Sequence, residues 1–212
     1  NHNVMYTNTV WGRVAKPLCK KWANNVDPRI VAECFSSPTV TVSDNGREFQ
    51  KSGTIPNTPL AYRRVVKLND KSIDVKMMIT ARKAVNLKDL YESIPLALDN
   101  RILEYSNKGQ FTKYALPKSL VTPTHKSLPG VYCGENPALK PFQASEIKLT
   151  APNGSGMLIE LPKEYTVKVA TPLRYRKEAA SMSGLSIVLP RDWKAGQTRI
   201  FSYKIQIIPA KK

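Results

Sequence analysis

Apolar and polar residues alternate with a period of two along three stretches of the chain. The clearest stretch runs from Ser72 to Arg82, where nearly every second residue is apolar. Leu60 to Leu68 and Phe201 to Ile207 show the same alternation. Because successive side chains of a strand point to opposite faces, each stretch is predicted to be a half-buried strand. Asn69-Asp70-Lys71 lies between the Leu60–Leu68 and Ser72–Arg82 stretches and predicts a hairpin turn that joins them.

Weaker alternation predicts six further strands. They cover Met5–Ala15, Thr39–Ser43, Ser145–Thr150, Met157–Leu161, Tyr165–Tyr175 and Leu185–Leu189. Asn153 to Gly156 has the composition of a turn between two of them. Many short strands separated by Pro, Gly and Asn are typical of antiparallel sandwiches. We therefore predict an all-β fold, an antiparallel β-sandwich or the larger supersandwich, with long Pro-rich loops and little helix.

Helix signals are weak throughout the chain. Single helical turns are predicted at Pro28–Cys34, Asn86–Ser93 and Lys177–Met182, and 16 prolines break longer candidates. The stretch from Leu116 to Pro141 contains five prolines and little periodicity. It is predicted to be a long surface loop, a kind of segment that often carries function.

The length of 212 residues suits one β-sandwich domain over residues 1–212. The first residue is Asn, so we expect a C-terminal part of a longer polypeptide. No apolar run approaches the roughly 18 residues of a membrane helix, and no membrane partner is predicted. Cys19, Cys34 and Cys133 are scattered and only two histidines accompany them, so the sequence predicts neither a metal site nor a cofactor.

The excess of basic over acidic residues is the feature of the sequence that says most about a binding partner. There are 33 Lys and Arg residues against 16 Asp and Glu, a formal net charge of +17 that is spread over the chain. A cationic β-domain predicts a polyanionic partner. A merely solvated basic surface is an equally ordinary explanation. Nucleic acid is less favoured as the partner, because no helix-turn-helix, zinc finger or aromatic RNA-binding strand motif is present.

Basic and aromatic side chains are interleaved around the predicted strand end at residues 173–177. Arginine pairs bidentately with carboxylate or sulfate, and a tyrosine ring can stack on a sugar face. Further lysines fall in the Pro-rich stretch, where no acidic residue occurs between Glu104 and Glu135. The candidate substrate-binding residues are Arg174, Arg176, Lys168, Lys118, Lys126 and Tyr175.

Three segments together resemble a known family. They are Pro59–Leu68 with the alternating strand that follows, Leu90–Leu96, and Leu189–Trp193 with Ala195-Gly196-Gln197 and a final strand. This pattern is similar to the C-terminal β-domain of heparinase II/III-like polysaccharide lyases and related bacterial polysaccharide-degrading proteins. The resemblance spans about two thirds of the chain and rests on strand pattern and short phrases.

The resemblance implies a sandwich packed against an upstream helical domain, with a cleft between them. It also implies β-elimination next to a uronic carboxylate, in which a Tyr or His removes a proton. His125 and Tyr132 are the candidate catalytic residues, since a loop histidine is accessible and titrates near neutrality. A histidine and a tyrosine without any role are the commoner explanation. Whether the chain is an enzyme stays open, because most catalytic residues would lie outside it.

The leading hypothesis is recognition of an anionic polysaccharide, uronate or sulfated, by an accessory or C-terminal domain of a lyase-like protein. A structural or assembly domain that docks an acidic partner protein is the first alternative. A non-specific nucleic-acid-binding or viral shell protein is the second. The first hypothesis carries the expectation of a secreted or periplasmic bacterial protein.

Overall fold

The structure is a computed structural model that describes residues 9–13, 30–33, 36–96, 98, 100–116, 120–121, 124–125, 128–132, 139–174 and 182–210. Strands dominate these residues, and no α-helix occurs among them. Accordingly, the described residues include no helix long and apolar enough to cross a membrane. The predicted all-β class is confirmed.

Eighteen strands occur in the described residues. They are β1 (Thr9–Arg13), β2 (Ile30–Ala32), β3 (Thr39–Val42), β4 (Glu48–Thr54), β5 (Leu60–Leu68), β6 (Ser72–Ala81), β7 (Val85–Asn86), β8 (Asp89–Leu96), β9 (Ile102–Ser106), β10 (Thr112–Tyr114), β11 (Leu120–Val121), β12 (Thr124–His125), β13 (Leu128–Tyr132), β14 (Phe142–Thr150), β15 (Gly156–Arg174), β16 (Met182–Val188), β17 (Asp192–Trp193) and β18 (Thr198–Ile208).

One 14-stranded sheet holds most of these strands. Its main order is β2-β1-β8-β16-β15-β18-β6-β5-β4-β3, and β9, β10, β11 and β14 attach beside this path. The short strands β12 with β13 and β7 with β17 form two separate pairs. Every described pairing is antiparallel except that of β11 with β15.

The long strand β15 turns this sheet into a sandwich. Its first residues, Gly156–Glu160, pair with β18, whereas Val167–Leu173 pair with β16. The strand therefore belongs to both halves of the sheet. Arg64 of β5 contacts Glu92 of β8, although four strands separate β5 from β8 in the sheet order. Such a contact requires the two halves to fold over and face one another.

The core lies between these two halves and follows from the alternation in the sequence. In β6 the residues of one face, such as Val75, Met77 and Ile79, are buried at 2 % exposure or less. Phe201 and Tyr203 of β18 continue this layer, and Leu185 and Ile187 of β16 lie in the same hydrophobic core. The other face of β6 and β18 carries mainly polar side chains, with Met78 and Ile200 as apolar exceptions.

Most of the predicted strands are confirmed. The Leu60 and Ser72 strands form the expected hairpin, in which the Asn69 amide donates to Ser72 O at 2.8 Å. The turn before Gly156 is also confirmed, and Gly154 adopts a φ of 79° there. The predicted strands Met157–Leu161 and Tyr165–Tyr175 merge into the single strand β15, which continues through Pro162 and ends at Arg174 in the described residues.

The predicted helical turns are wrong where the structure describes them. Asn86–Ser93 overlaps β8, which pairs on both sides with β1 and β16. Ile30–Ala32, within Pro28–Cys34, is strand β2 on β1. Met182 begins β16, and 177–181 lie outside the described residues. The predicted loop Leu116–Pro141 contains the short strands β11, β12 and β13. In each case pairing with a neighbouring strand outweighs weak local preference.

Candidate functional site

A broad groove lies on the polar face of the sheet, across strands β15, β18, β6, β5 and β4. Its volume is 820 Å³ and it is open to solvent. Five adjacent strands span about 19 Å at the usual spacing between neighbours. The side chains that line it are polar or charged, apart from a few such as Val65 and Met78.

Five charged residues form a ladder straight across this groove. Their register is Glu160 opposite Lys204, Lys204 opposite Asp74, Asp74 opposite Lys67, and Lys67 opposite Glu48. The charges thus alternate in sign from strand to strand. Opposite charges directly across neighbouring strands stabilise a sheet, whereas like charges would repel. We call these five residues the charge ladder.

Part of the ladder is tied into local hydrogen bonds at the β4 end. Lys67 Nζ lies 3.1 Å from Glu48 Oε2, and Gln50 Nε2 donates to Glu48 Oε1 at 2.8 Å. The Gln50 hydrogen bond, together with Lys67, holds the pKa of the Glu48 carboxyl below its usual range. Arg63 Nη2 donates to Gln50 Oε1 at 2.8 Å. These groups position one another and keep Glu48 ionised.

Two lysines at the centre of the groove differ from these tied groups. Within the described chain, neither Lys76 nor Lys204 has a carboxylate oxygen within 4.0 Å of its ammonium nitrogen. Lys76 is exposed and stands opposite Ser202 on β18 and Val65 on β5. Diagonal neighbours in a sheet lie about 7–8 Å apart, which places Lys204, Arg63 and Lys67 around Lys76. Four cationic side chains therefore gather at the centre of the groove, where Asp74 is their nearest acidic neighbour in the register.

The opposite, inner face of the same strands carries a buried polar network. Arg64 donates to Glu92 through Nη1 at 2.6 Å and Nη2 at 2.8 Å, and to Glu33 through Nη2 at 2.8 Å. Tyr203 Oη donates to Glu92 Oε1 at 2.9 Å, and Lys51 Nζ lies 3.4 Å from Glu33 Oε1. We call Glu33, Arg64, Glu92, Tyr203 and Lys51 the buried network.

This network balances its own charge, with two carboxylates against Arg64 and Lys51. Burial alone would lower the pKa of Arg64, but Glu92 and Glu33 raise it well above its ordinary value. Burial would likewise raise the pKa of Glu33, yet Arg64, the Val10 amide and Lys51 leave it lowered. All three Arg64, Glu33 and Glu92 side chains are 3 % exposed or less. The network therefore holds the two layers together and does not open to a substrate.

Neither protein-family models nor curated protein sequences match this chain. Its fold is similar to that of a candidate aldose 1-epimerase from Escherichia coli K12, with a TM-score of 0.54, 10 % identity, and coverage of 97 % of this chain and 86 % of that one. An α-galactosidase from Lactobacillus brevis gives a TM-score of 0.50 at 12 % identity, over 82 % of this chain and 25 % of that one. These likenesses show a shared fold alone.

A heparan sulfate lyase, HepC from Pedobacter heparinus, is also similar, with a TM-score of 0.49 and 11 % identity over 82 % of this chain. The chain spans 22 % of that lyase. This likeness is one of fold.

None of the predicted site residues is among the described side chains that line the groove. His125 and Tyr132 lie in the β12–β13 pair, where Thr124 is opposite Tyr132 and His125 is opposite Leu128. Arg174 ends β15 opposite Val121. Only the backbone is described at these three positions. Arg176, Lys118, Lys126 and Tyr175 lie outside the described residues. Their roles stay predictions.

Lys168 is the one predicted binding residue whose side chain is described. Its ammonium donates to Tyr91 Oη at 2.8 Å and lies 4.9 Å from the centre of the Tyr91 ring. This contact joins β15 to β8 across β16, because Lys168 is opposite Ser186. The side chain is therefore held on the sheet surface, outside the groove.

Lys76, Lys204 and the charge ladder were missed in the sequence. The signal lay in the polar positions of the same alternating strands that predict the core, since Asp74 and Lys76 fall on one face of β6. What the sequence lacks is the register between strands, which brings Glu160 next to Lys204 and Lys67 next to Glu48.

In the described residues no group of three or more His, Cys, Asp or Glu side chains could hold a metal ion.

Proposed function

We propose that this chain binds an anionic polysaccharide in the groove, as an accessory domain of a larger carbohydrate-active protein. The observation that carries the proposal is the pair of lysines, Lys76 and Lys204, that stand at the centre of the groove without a described salt-bridge partner. A carboxylate or sulfate of a bound glycan would supply the missing counter-charge. The formal charge of +17 adds long-range attraction for such a ligand.

The side chains around these lysines suit a sugar. Gln206, Ser202 and Asp74 offer hydrogen-bond donors and acceptors along both sides of the cationic centre, as sugar hydroxyls require. Met78 and Val65 supply a short apolar strip between the polar groups. The groove is open and crosses five strands, so an extended chain fits it better than a small enclosed ligand does.

The fold neighbours support testing carbohydrate before other ligands. Two of the structures reported above, with TM-scores of 0.54 and 0.50, are named as a candidate aldose 1-epimerase and an α-galactosidase. The anionic class of the glycan rests on the groove and not on these names. Because the charge ladder mixes both signs, a specific ligand must match acidic groups to Lys76 and Lys204 while its hydroxyls face Asp74 and Glu160.

Affinity electrophoresis tests the proposal directly. The protein is run through gels that contain a uronate polymer, a sulfated polysaccharide or a neutral polysaccharide, with duplex DNA as competitor. We expect retardation by one anionic glycan, not competed by DNA, and loss of most retardation in the Lys76→Gln, Lys204→Gln double variant.

The matched control is the Lys83→Gln, Lys113→Gln double variant, which removes the same charge from exposed positions outside the groove. Equal loss in both double variants would mean that total charge, and not the groove, attracts the glycan. Retardation by every polyanion alike would favour a non-specific basic surface. The absence of retardation in all three gels would overturn the proposal.

A further inference from the structure

Strand β3 forms one end of the main sheet and presents an open edge. All four of its residues, Thr39 to Val42, are exposed, and in the described chain its sole neighbour is β4. Val40 and Val42 are 48 % and 60 % exposed. The strand carries no charge and no proline, two of the features by which natural edge strands avoid pairing with another chain, and its length of four residues limits any pairing to a few hydrogen bonds. This edge is therefore ready to accept a further strand.

The β3–β4 register shows which backbone groups face outward. The Ser43 amide donates to Glu48 O at 2.9 Å, so Ser43 and Glu48 form a hydrogen-bonded pair. Such pairs alternate along an antiparallel ladder, and Thr41 and Thr39 therefore also direct their N–H and C=O groups to β4. On the far side of β4, the Leu68 amide donates to Arg47 O. Arg47 therefore directs its carbonyl to β5 and the next residue, Glu48, directs its carbonyl to β3, as this alternation requires. Val40 and Val42 thus direct both backbone groups to the open edge.

We propose that β3 pairs antiparallel with β3 of a second copy of this chain, about a two-fold axis at Thr41. Val40 of one copy then lies opposite Val42 of the other, and each such pair exchanges two backbone hydrogen bonds. The symmetric arrangement forms four, using every outward group of Val40 and Val42. A register shifted by one residue would place valine opposite threonine and leave these groups unmatched.

The side chains agree with this register. The four valines fall on the inner face, where each copy adds the neighbouring Phe49 and Val66 and the 46 % exposed Leu68 to a shared apolar strip. The outer face brings Thr41 next to its own copy and Thr39 next to Ser43. Opposed hydroxyl and β-branched pairs of this kind stabilise sheets.

The register places no charged side chains opposite one another at the contact itself. On the outer face, the row that runs from Arg63 through Ser52 to Thr39 continues into Ser43 and Glu48 of the second copy. Arg63 lies about 19 Å, or four strand spacings, from Glu48 of the second copy, so these two charges are screened from one another. The contact is small, so the dimer is weak and concentration-dependent.

Sedimentation velocity of the full chain from about 10 μM to about 1 mM tests the pairing. We expect a monomer–dimer equilibrium that Val40→Pro weakens at least about tenfold. Proline at this position removes an outward N–H and leaves the bonds to β4 intact, as edge strands tolerate. Val40→Thr, which keeps the backbone donor and the branched shape, is the control and should retain most dimer.

Disulfide trapping tests the register. In a variant with Cys19, Cys34 and Cys133 changed to Ser, Thr41→Cys should cross-link two copies rapidly, because it faces itself at about 4.5 Å between Cα atoms. Val40→Cys faces Val42 and should cross-link at least about tenfold more slowly. A protein monomeric at every concentration, a dimer unaffected by Val40→Pro, or equal cross-linking at both positions would each overturn the proposal.

Discussion

Arg64 on β5 and Glu92 on β8 form a bidentate ion pair, with Nη1–Oε1 and Nη2–Oε2 distances of 2.6 and 2.8 Å. Both side chains are buried, and the two strands belong to opposite layers of the sandwich. The pair therefore fixes how one layer lies on the other. Arg63, the preceding residue, faces the opposite side of β5 and lines the groove.

Removing Arg64 should destabilise the fold strongly. Arg64→Ala leaves the Glu33 and Glu92 carboxylates buried close together without their shared cation. We expect a loss of about 3–5 kcal/mol in the free energy of unfolding, measured by urea denaturation. Arg63→Ala, at an exposed position one residue away, is the control and should change it by about 0.5 kcal/mol or less. Similar losses in both variants would contradict the role assigned to the buried network.

Acid should weaken the same network through Glu33. The folded-state pKa of Glu33 is lowered from 4.5. Burial is the largest single influence and would raise this pKa, but Arg64 and the other partners together outweigh it. As the pH falls, Glu33 is therefore protonated at a higher pH in the unfolded state than in the folded state. The stabilisation is complete above about pH 4.5 and is lost as pH falls through the lower folded pKa. Glu33→Gln should make the fall in unfolding free energy between about pH 6 and pH 3 shallower.

The control for this pH dependence is Glu48→Gln. Glu48 also has a lowered pKa, but its side chain is only partly buried and lies in the open groove, where solvent screens its interactions. Its variant should keep nearly the full wild-type slope. A slope unchanged by Glu33→Gln would show that other carboxyl groups govern the acid response.

The hydroxyl of Tyr203 should contribute measurably to stability. It donates to Glu92 Oε1 at 2.9 Å within the core. Tyr203→Phe removes a donor to a buried carboxylate, and we expect a loss of about 1.5–3 kcal/mol in thermal or urea unfolding. Tyr114→Phe, which removes an exposed hydrogen bond to Lys140 O, should lower stability by less. Equal effects would mean that burial of the acceptor is unimportant.

Gly156 should not tolerate a side chain. A Cβ atom there would lie 1.9 Å from the Leu149 carbonyl oxygen, a backbone atom of the paired strand β14. Gly156→Ala should therefore lower the free energy of unfolding by at least about 1–3 kcal/mol. Gly109→Ala meets nothing within 4 Å and should be nearly neutral. A neutral Gly156→Ala would show that β14 and β15 can shift apart at this point.

Alternation in the sequence predicts the strands whose two faces differ, such as β5 and β6. It fails for β8, where Glu92 occupies a buried position and Pro95 interrupts the run, so local preference favoured a helical turn. Pro162 likewise divided β15 in two, although the strand passes through it as its partner changes. The local pattern of the sequence does not show which residues far along the chain a side chain contacts, and these contacts decide the structure at Glu92 and Pro162.

The position of Arg64 did carry a signal in the sequence. It lies in phase with Leu60, Tyr62 and Val66 on the face predicted to be buried. A cation at such a position requires a buried anion, but the pattern does not show which acidic residues supply it. The groove was beyond this kind of inference, because its cationic centre depends on the register of β18 against β6.

Strand β15 has a consequence for how the protein folds. The two halves of β15 pair in different layers of the sandwich. Neither layer can keep its pairing once this strand detaches, so the described sheet should unfold as one cooperative unit. The network that closes the sandwich joins Glu92 to Tyr203, which lie 111 residues apart in the sequence. Contacts between such distant segments form only after a large loss of chain entropy. Refolding should accordingly be slow, with the last strand, β18, completing the core late.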